Sequence, residues 1–464
     1  MDNGKQIAIF GTGDFGRKAY GYFGEDKVAV FLDNNVQKQG GELFGVRIVS
    51  LEEYLPHKDE CELVIAVRDN EAIIRQLIEN GFKDFYSFLA VSTTALLHKV
   101  NTADALLKKD ELRRRDLHKR GIDIKDNKWD ICLTGLYTEL NYGAELTCLA
   151  LYGQLNSMGY TVLMNQPPLS ANVRPNRFPP LFKENPYPVY DLGRVFDDTE
   201  EMKELNEYIK YFVLGSDQMW NREIICDRGN VSYMEFADSG KGLLSYATSF
   251  GKASWDEDMA CTVAMQRCLD KFFAVSVREG SGVEICENFG VQAVRCMDPV
   301  FLCDREFYHR LAEKSELQTV NNAASAYIFC NDKSYTEAIE KFAERNRLML
   351  NVINPISMFA EDWLKQIESS RILITNSFHA ICFAVIFGID FVAVEFKWSA
   401  RIYELLKMLG LEKRIVHSIA EINERVELQE AIDYSRVYEI LNEEIGKSKA
   451  WLKNRLEEME KKYV

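Results

Sequence analysis

The sequence contains no run of about 18 apolar residues, the length that a membrane-spanning helix requires. Its first residues, Met1 to Lys5, pass directly into a strand-like segment, so no signal peptide is predicted. The chain has 56 Lys and Arg against 71 Asp and Glu, and its net charge of −15 argues against nucleic acid as the main partner. We therefore expect a cytoplasmic protein that binds no nucleic acid.

Cysteine and histidine patterns that mark disulfides or zinc are also missing. The eleven cysteines are odd in number and contain no Cys-x-x-Cys pair, which is typical of reduced thiols in a reducing compartment. The six histidines form no pair at metal-ligand spacing. The sequence therefore predicts no metal site.

The chain is long enough for two or three domains, since it has 464 residues. Strand-like apolar runs alternate with helical patterns, which favours an α/β protein built on parallel sheets. The predicted organisation is a Rossmann-like domain at 1–95, a charged helical linker at 96–128, α/β units at 129–310 and 311–420, and a helical segment at 421–464.

A basic stretch interrupts the acidic composition between Leu106 and Lys128, where nine Lys or Arg residues stand against five Asp or Glu residues. The whole segment from Thr94 to Lys128 is charged and helical in pattern. Two interpretations stay open for the basic stretch: a solvated linker helix, or a weak contact with an anionic membrane surface.

A glycine-rich loop follows the first predicted strand, Ile7 to Phe10. Gly11, Gly13 and Gly16 have the spacing that lets a phosphate approach the N-terminus of the next helix. Asp33 lies 17 residues after Gly16, in reach of a ribose hydroxyl. The pattern predicts a Rossmann-like fold and leaves the ligand open.

The second α/β unit contains a polar motif at the end of a predicted strand. The strand Phe212 to Leu214 is followed by Gly215-Ser216-Asp217-Gln218-Met219-Trp220-Asn221. Ligands bind at the carboxyl ends of strands in open α/β sheets, so an acid, an amide and an indole delivered there indicate a site. Gln218 and Trp220 also fit a structural role.

Three further motifs are candidates for the same site. Arg278 follows the strand Phe272 to Val277 and suits a phosphate or carboxylate, although a surface salt bridge with Glu279 fits equally. Thr375-Asn376-Ser377-Phe378-His379 precedes an apolar helix, where either an anion site or a cap by Ser377 with a packed His379 is expected. Asn141 either contacts a sugar or caps the amphipathic helix predicted at Ala144 to Met158.

In this order and spacing the motifs resemble the polysaccharide pyruvyl transferase family over about residues 129 to 415. The matching segments are Asn141 to Ala144, Gly215 to Asn221, Tyr246 to Gly251, Ser276 to Glu279, Asp298-Pro299 and Thr375 to His379. The first ~95 residues lie outside the match and resemble small nucleotide-binding domains attached to bacterial sugar-modifying enzymes.

The resemblance implies a two-lobed fold of glycosyltransferase-B type, with its N-terminal lobe at 129–310 and its C-terminal lobe at 311–420. It implies transfer of the enolpyruvyl group of phosphoenolpyruvate to two hydroxyls of a bacterial surface saccharide or its lipid-linked precursor. The product is a cyclic ketal, phosphate is released, and no cofactor is required. A nucleotide or nucleotide-sugar in the N-terminal domain is a separate expectation.

The resemblance also implies roles for individual residues. Asp217 is the expected base, His379 the expected acid, and Arg278 both a catalytic and a donor-binding residue. The remaining expected contacts are Asn376, Ser377, His379 and Arg401 for the donor, and Asn141, Tyr142 and Gln218 for the acceptor.

The loop Leu136 to Leu140 departs from the family pattern. The seven prolines between Pro167 and Pro188 indicate a long acceptor-side loop particular to this chain. Three alternatives stay open: a glycosyltransferase that uses a nucleotide-sugar, an NAD-dependent enzyme centred on the glycine loop, and a binding protein whose site has decayed.

Overall fold

The computed structural model describes most of the chain. The described residues are 5–67, 71–82, 85–91, 94–100, 128–135, 141–165, 191–192, 199–222, 229–320, 322–329, 333–353, 358–395, 399–418, 420–425, 428 and 430–463. The chain forms two compact units. The first unit is Met1–Lys108 with Ile328–Glu340 and Asn354–Met358, and the second is Lys109–Tyr327 with Lys341–Ile353 and Phe359–Val464.

The first unit contains a sheet with the strand order β3-β4-β2-β1-β5-β6-β7. Pairing is parallel except in the β3–β4 and β6–β7 hairpins. Its strands are β1 (Gln6–Phe10), β2 (Val28–Leu32), β3 (Glu42–Leu43), β4 (Val46–Val49), β5 (Cys61–Ile65), β6 (Phe85–Val91) and β7 (Thr94–Val100), and its helices are α1 (Asp14–Phe23), α2 (Leu51–Tyr54) and α3 (Glu71–Glu79).

The glycine loop connects β1 to α1, as the sequence predicts. A Cβ atom on Gly16 would lie 1.9 Å from the carbonyl oxygen of Gly11, so only glycine fits where the loop closes on itself. Asp33 follows the last residue of β2 directly. The Rossmann-like prediction for this unit is confirmed by its parallel order around β1.

The predicted linker differs from the structure at its start. Residues from Thr94 to Val100 form β7, which pairs antiparallel with β6 in a register that joins Phe85 to Val100 and Val91 to Thr94. Hairpin pairing with a neighbouring strand has overridden the local helical pattern here. The rest of the linker, including the basic stretch up to residue 127, lies outside the described residues.

The second unit contains two sheets whose described strands all pair in parallel. The first has the order β10-β9-β8-β11-β12-β13-β14. Its strands are β8 (Trp129–Thr134), β9 (Val162–Met164), β10 (Asp191–Leu192), β11 (Ile209–Leu214), β12 (Gly242–Thr248), β13 (Ala274–Val277) and β14 (Ala293–Arg295), and its helices are α4 (Tyr142–Ser157), α5 (Leu205–Tyr208), α6 (Gly229–Ser232), α7 (Met259–Leu269) and α8 (Gly280–Asn288).

The second sheet of this unit has the order β16-β15-β17-β18-β19. Its strands are β15 (Ala323–Tyr327), β16 (Met349–Val352), β17 (Ser370–Thr375), β18 (Asp390–Val394) and β19 (Ile415–Val416). The remaining helices are α9 (Arg305–Ala312), α10 (Lys333–Arg345), α11 (Ala360–Glu368), α12 (Phe378–Phe387), α13 (Ala400–Met408), α14 (Glu421–Glu424) and α15 (Tyr434–Tyr463). Two parallel α/β lobes are the arrangement expected of a glycosyltransferase-B fold.

In the second unit, helix α12 is buried over its whole length, and helix α4 is buried on every side from Tyr142 to Tyr152. All of α12 is buried, and it ends at Gly388 in a left-handed conformation, as its apolar sequence predicts. The amphipathic prediction for α4 is wrong, because every residue from Tyr142 to Tyr152 is buried. Helix α4 packs against α11, α12 and the turn at Pro299–Leu302 as well as its own sheet, which leaves no solvent face over those turns.

The C-terminal helix α15 packs on both lobes. Near its start, the Tyr434 hydroxyl donates to the carbonyl of Ile389, at 2.6 Å, between α12 and β18. Near its end, Met459 lies under β12, where a Cβ on Gly242 would come within 2.6 Å of it. Helices long and apolar enough to cross a bilayer are not found in the part of the chain that the structure describes.

Candidate active site

Polar side chains gather where the parallel strands of the first lobe end. Asp217 follows β11, Arg278 follows β13 and Asp298 follows β14. The carboxyl ends of parallel strands share one edge of the sheet, so side chains far apart in sequence meet there. The structure brings Asp217, Arg278 and His379 together, as the motifs predict.

Arg278 lies at the centre of a buried ion-pair cluster. Its Nη1 is 2.6 Å from Asp298 Oδ2, its Nη2 is 3.4 Å from Asp217 Oδ1, and its Nε is 3.3 Å from Glu279 Oε1. Burial alone would lower the pKa of Arg278, but the carboxylates outweigh burial and raise it above its usual value. A salt bridge with Glu279 is therefore present, but it is buried and not at the surface as the sequence predicts, and Arg278 lies within the polar cluster at the strand ends.

Asp298 connects this cluster to the second lobe. It accepts from Thr147 Oγ1 at 3.2 Å and from Ser216 Oγ at 3.4 Å, and its Oδ2 is 3.6 Å from His379 Nε2. Burial would raise the pKa of Asp298, but His379 and Arg278 more than offset this and hold the pKa well below its ordinary range. Asp298 is therefore a carboxylate at neutral pH.

Asp217 has a strained backbone. Its φ is 76°, a left-handed conformation that costs a non-glycine residue free energy. The turn is held because the Asp217 carbonyl accepts from Met219 N at 2.7 Å and from Ser249 N at 2.9 Å, while Oδ1 accepts from Gln218 N at 2.9 Å. In this turn, Asp217 Oδ1 lies 3.4 Å from Arg278 Nη2 and 3.9 Å from Arg401 Nη1.

The N-terminus of α12 has the residues expected there. Ser377 caps the helix, because its Oγ accepts from Ala380 N at 3.4 Å. His379 is 5% exposed, and its Nε2 is 3.1 Å from Thr147 Oγ1. A Cβ on Gly143 would lie 2.2 Å from the His379 ring, so glycine is required where α4 passes this side chain. Asn376 precedes the cap residue.

Arg401, in the first turn of α13, completes the arrangement. The guanidinium carbons of Arg278 and Arg401 lie 4.5 and 5.6 Å from the centre of the Phe378 ring. Arg401 Nη1 is 3.9 Å from Asp217 Oδ1, and the Arg401 side chain is 22% exposed. Burial, together with the charge of Arg278, lowers the pKa of Arg401. Arg401 is therefore paired less closely with a carboxylate than Arg278, whose distance to Asp298 is 2.6 Å.

A cleft of about 340 Å³, including its mouth, opens beside these groups. Its charged lining residues are three arginines and three acids: Arg278, Arg295, Arg401, Glu279, Asp298 and Glu404, and the Phe378 ring lines it as well. Met297, Phe301, Leu405 and Met408 line its apolar side. A site of this kind suits a small anion with an organic part.

The three residues predicted to contact the acceptor, Asn141, Tyr142 and Gln218, have different surroundings in the structure. Asn141 caps α4, since its Oδ1 accepts from Ala144 N at 3.1 Å. Tyr142 is 1% exposed and stacks on Trp363 with ring centres 5.6 Å apart, so in this conformation it offers an acceptor no surface. The Gln218 amide lies within 3.3 Å of the Arg401 guanidinium. The loop Leu136 to Leu140 and the proline-rich loop Pro167 to Pro188 lie outside the described residues.

The predicted nucleotide-binding residues lie together in the first unit, where Gly11 and Gly13 begin the loop that Gly16 closes. Asp33 Oδ2 accepts from Thr12 N at 3.2 Å and from Lys38 Nζ at 3.1 Å, and the Thr12 hydroxyl also donates to it. The Asp33 carboxylate is therefore hydrogen-bonded to Thr12 of the glycine loop. Nucleotide binding in this unit stays a prediction.

Sequence reasoning did not assign roles to Asp298, Thr147 or Glu404, and it considered Glu279 only as a salt-bridge partner of Arg278. Asp298 and Glu279 lie within motifs that carried the resemblance, and their positions within three residues of strand ends were the signal available for them. Thr147 lies inside a helix, and nothing in the local pattern marks it. Within the described residues, no group of three or more His, Cys, Asp or Glu could hold a metal ion.

Solved structures with low sequence identity share parts of this architecture. UDP-GlcNAc 2-epimerase from Neisseria meningitidis, bound to UDP-GlcNAc, is 8% identical with a TM-score of 0.48, over 71% of this chain and 99% of that chain. UDP-N-acetylglucosamine 2-epimerase from Rickettsia bellii is also 8% identical, with a TM-score of 0.42 over 69% and 96% of the two chains. Curated protein sequences gave no significant match.

The sequence model of one family, described as Polysaccharide pyruvyl transferase, matches residues 141–396. The match covers more than half of the chain and includes Asp217, Arg278, Asp298 and His379. The chain is therefore a transferase that belongs to the polysaccharide pyruvyl transferase family.

Proposed function

We propose that the protein transfers the enolpyruvyl group of phosphoenolpyruvate to two hydroxyls of one sugar in a bacterial surface polysaccharide or its precursor. The family supplies the reaction class, pyruvyl transfer to a polysaccharide. The observation that carries the choice of donor is the pair of guanidiniums on Phe378, of which Arg401 is 3.9 Å from the carboxylate of Asp217 and 22% exposed. Phosphoenolpyruvate carries both a phosphate and a carboxylate, and guanidiniums bind such groups in planar, two-pronged contacts.

The two arginines have different tasks in this proposal. Arg278 is committed to Asp217, Glu279 and Asp298, so it shapes the site and adds positive potential. Arg401 is part-exposed and has its nearest carboxylate at 3.9 Å, so it makes the principal contact with the donor. Ser377, Asn376 and the backbone amides at the start of α12 add hydrogen bonds.

The proton transfers balance over the whole reaction. One sugar hydroxyl adds to C2 of the donor as C3 gains a proton to become a methyl group. The second hydroxyl displaces phosphate and closes the ketal, and its proton leaves with the phosphate. Asp217 accepts a hydroxyl proton and stabilises positive charge at C2, and His379, oriented by Thr147 and Asp298, supplies the proton.

The acceptor is a saccharide, free or lipid-linked, and the proposal requires no metal or cofactor. A cytoplasmic location, with peripheral contact at the inner face of the membrane, belongs to the same proposal. Among the predicted acceptor residues, Gln218 lies within 3.3 Å of the proposed donor contact, Arg401.

The direct test measures phosphate release from phosphoenolpyruvate with a panel of oligosaccharide acceptors. Arg401→Met is expected to lower kcat/KM for phosphoenolpyruvate by about 10- to 100-fold, because a charge-assisted hydrogen bond of about 1.5–3 kcal/mol is lost. Arg371→Met is the matched control. Arg371 is a half-exposed arginine of the same lobe that pairs with Asp390 at 2.6 Å, and its loss should leave the rate unchanged.

A thermal-shift panel of phosphoenolpyruvate, uridine and cytidine diphosphate-sugars and NAD distinguishes the proposal from its rivals. Stabilisation by phosphoenolpyruvate is the expected result. Stabilisation by a nucleotide-sugar alone, with no phosphate release in the assay, would replace the proposal with glycosyl transfer. Stabilisation by NAD alone would point to the glycine loop of the first unit.

A further inference from the structure

Glu404 lies one helical turn after Arg401 on α13, and both side chains line the same cleft. The Glu404 carboxylate contacts the first turn of α8. It accepts from Gly280 N in a short hydrogen bond and from Ser281 N at 3.3 Å. Glu404 thus joins a helix of the second lobe to the first lobe.

The contact is shaped by Gly280. A Cβ on Gly280 would lie 3.1 Å from Glu404 Oε2, tighter than an ordinary van der Waals contact. The backbone N–H groups at the start of a helix attract a negative charge, and α8 is nine residues long. A bare glycine at its first position lets the Glu404 carboxylate reach those N–H groups.

The segment that Glu404 contacts is continuous with the catalytic cluster. Gly280 follows Arg278 and Glu279 directly, so the contact joins the strand end that carries Arg278 to the helix that carries Arg401. The two guanidiniums lie on one Phe378 ring and repel each other, which contributes to the lowered pKa of Arg401. Asp217, at 3.4 Å from Arg278 and 3.9 Å from Arg401, offsets part of this repulsion, and the contact of Glu404 with α8 adds an attraction between the elements that carry the two arginines.

We infer that Glu404 is a positioning residue that holds Arg401 beside Arg278 before the donor binds, so that the anionic donor meets a preformed pair of guanidiniums. The inference rests on the proposed function, since it takes the donor to be the anion bound by Arg401. Glu404 itself stays on the α8 amides and does not contact the reacting atoms.

The consequence is a binding effect. If the arginine pair forms in only a fraction of the molecules, the apparent Kd of the donor rises in inverse proportion to that fraction. Glu404→Ala should therefore raise the Kd and KM of phosphoenolpyruvate about tenfold. It should change kcat at saturating donor and the KM of the acceptor little. Glu404→Gln keeps an acceptor oxygen and should recover most of the affinity.

Two matched variants separate positioning from general destabilisation. Gly280→Ala adds the crowding Cβ at 3.1 Å and also improves helix propensity, so it should raise the donor Kd without lowering the melting temperature. Glu412→Ala removes an exposed acid after the same helix and should change neither quantity. The donor Kd of the double variant Glu404→Ala, Gly280→Ala should be little higher than that of either single variant.

Hydrogen exchange at the Gly280 and Ser281 amides gives a readout that needs no donor. Exchange should be slow in the unsubstituted protein and faster in Glu404→Ala. If the unsubstituted protein fails to bind phosphoenolpyruvate by calorimetry while this exchange difference is present, the proposed function fails and the contact stands. If it binds phosphoenolpyruvate and Glu404→Ala binds equally well, the inference fails alone. A lower Kd in Glu404→Ala would show that the carboxylate competes with the donor, and would also overturn the inference.

Discussion

At the scale of single residues, each buried charge around Arg278 is compensated by the others. Asp217, Glu279 and Asp298 each contact its guanidinium, and these side chains are almost fully buried. A buried pair contributes little net stability when it is intact, but removal of one partner leaves an uncompensated charge that costs about 3–5 kcal/mol. Substitution of Arg278 therefore tests folding as well as catalysis, so Arg401 is the better probe of the donor.

Asp298 gives a pH-dependent prediction. Its pKa is held below the ordinary value of 3.8, so its ion pairs stabilise the folded state above that value and are lost as the pH falls through the folded pKa. Asp298→Asn should therefore reduce the steepness with which the free energy of unfolding falls below about pH 4. Urea unfolding at pH 7 and at pH 3 measures the difference. If the free energy of unfolding falls equally in the unsubstituted protein and in Asp298→Asn between pH 7 and pH 3, the prediction is wrong.

Gly143 gives a second prediction at this scale. A Cβ at this position would lie 2.2 Å from the His379 ring, so Gly143→Ala must displace the histidine from Thr147 and Asp298. Misplaced acid–base groups commonly lose about 100-fold in rate, so kcat should fall by that order. The measurement is phosphate release at saturating phosphoenolpyruvate and acceptor.

Gly446→Ala is the matched control for this prediction. Gly446 lies in α15, and a Cβ on it would have no neighbouring atom within 4 Å. Alanine should therefore stabilise the helix by up to about 1 kcal/mol and leave the rate unchanged. A Gly143→Ala enzyme with an unaltered kcat would remove His379 from the proposed proton transfer.

At the scale of elements, strands were the easier part to predict. Runs such as Ile372 to Thr375 are continuous and apolar, and parallel strands covered on both faces have that composition. The sequence predicted the position of helix α4 but not its burial, because Glu145 and Thr147 are polar residues in a one-dimensional pattern. The partners of Thr147 come from elsewhere in the fold and include Asp298, 151 positions away in sequence. Local hydrophobic periodicity does not show whether a helix is buried by elements that are distant in sequence.

The same limit applies to the site. The motifs placed Asp217, Arg278 and His379 correctly at strand and helix ends, because those positions follow from local pattern. The pairing of Arg278 with Asp298 depends on the neighbouring strands β13 and β14 lying side by side in one sheet, and the contact of Glu404 with α8 depends on how the lobes pack. Neither follows from the sequence of any one element.

Helix α4 gives a prediction that separates capping from acceptor binding. Asn141 Oδ1 accepts from Ala144 N, and Ser can make the same cap while Ala cannot. Asn141→Ala should cost about 1 kcal/mol of stability, and Asn141→Ser should cost only a few tenths. If the acceptor KM rises equally in both variants, Asn141 contacts the sugar, whereas a KM that follows stability assigns it to the cap alone.

At the scale of the second unit, α15 connects elements of both lobes. Its Tyr434 and Tyr438 hydroxyls donate to carbonyls at the end of α12, and Trp451 packs on Tyr246 of β12 with ring centres 6.4 Å apart. Ser448 Oγ accepts from Met297 N at 2.9 Å, next to the residues that line the cleft. A helix with such contacts couples the stability of one lobe to that of the other.

The last prediction tests that coupling through Met459. This side chain is fully buried against Gly242 at the start of β12, so Met459→Ala should cost about 2–5 kcal/mol. If α15 couples the lobes, hydrogen exchange should accelerate in α12 as well as in β12, although α12 lies against the opposite end of α15. Lys453 is exposed on the same helix and has an ion pair at 3.8 Å. Lys453→Ala should change neither the stability nor the hydrogen exchange of α12 and β12. Acceleration confined to β12 would show that the lobes unfold independently and that α15 is only a local cover for the first sheet.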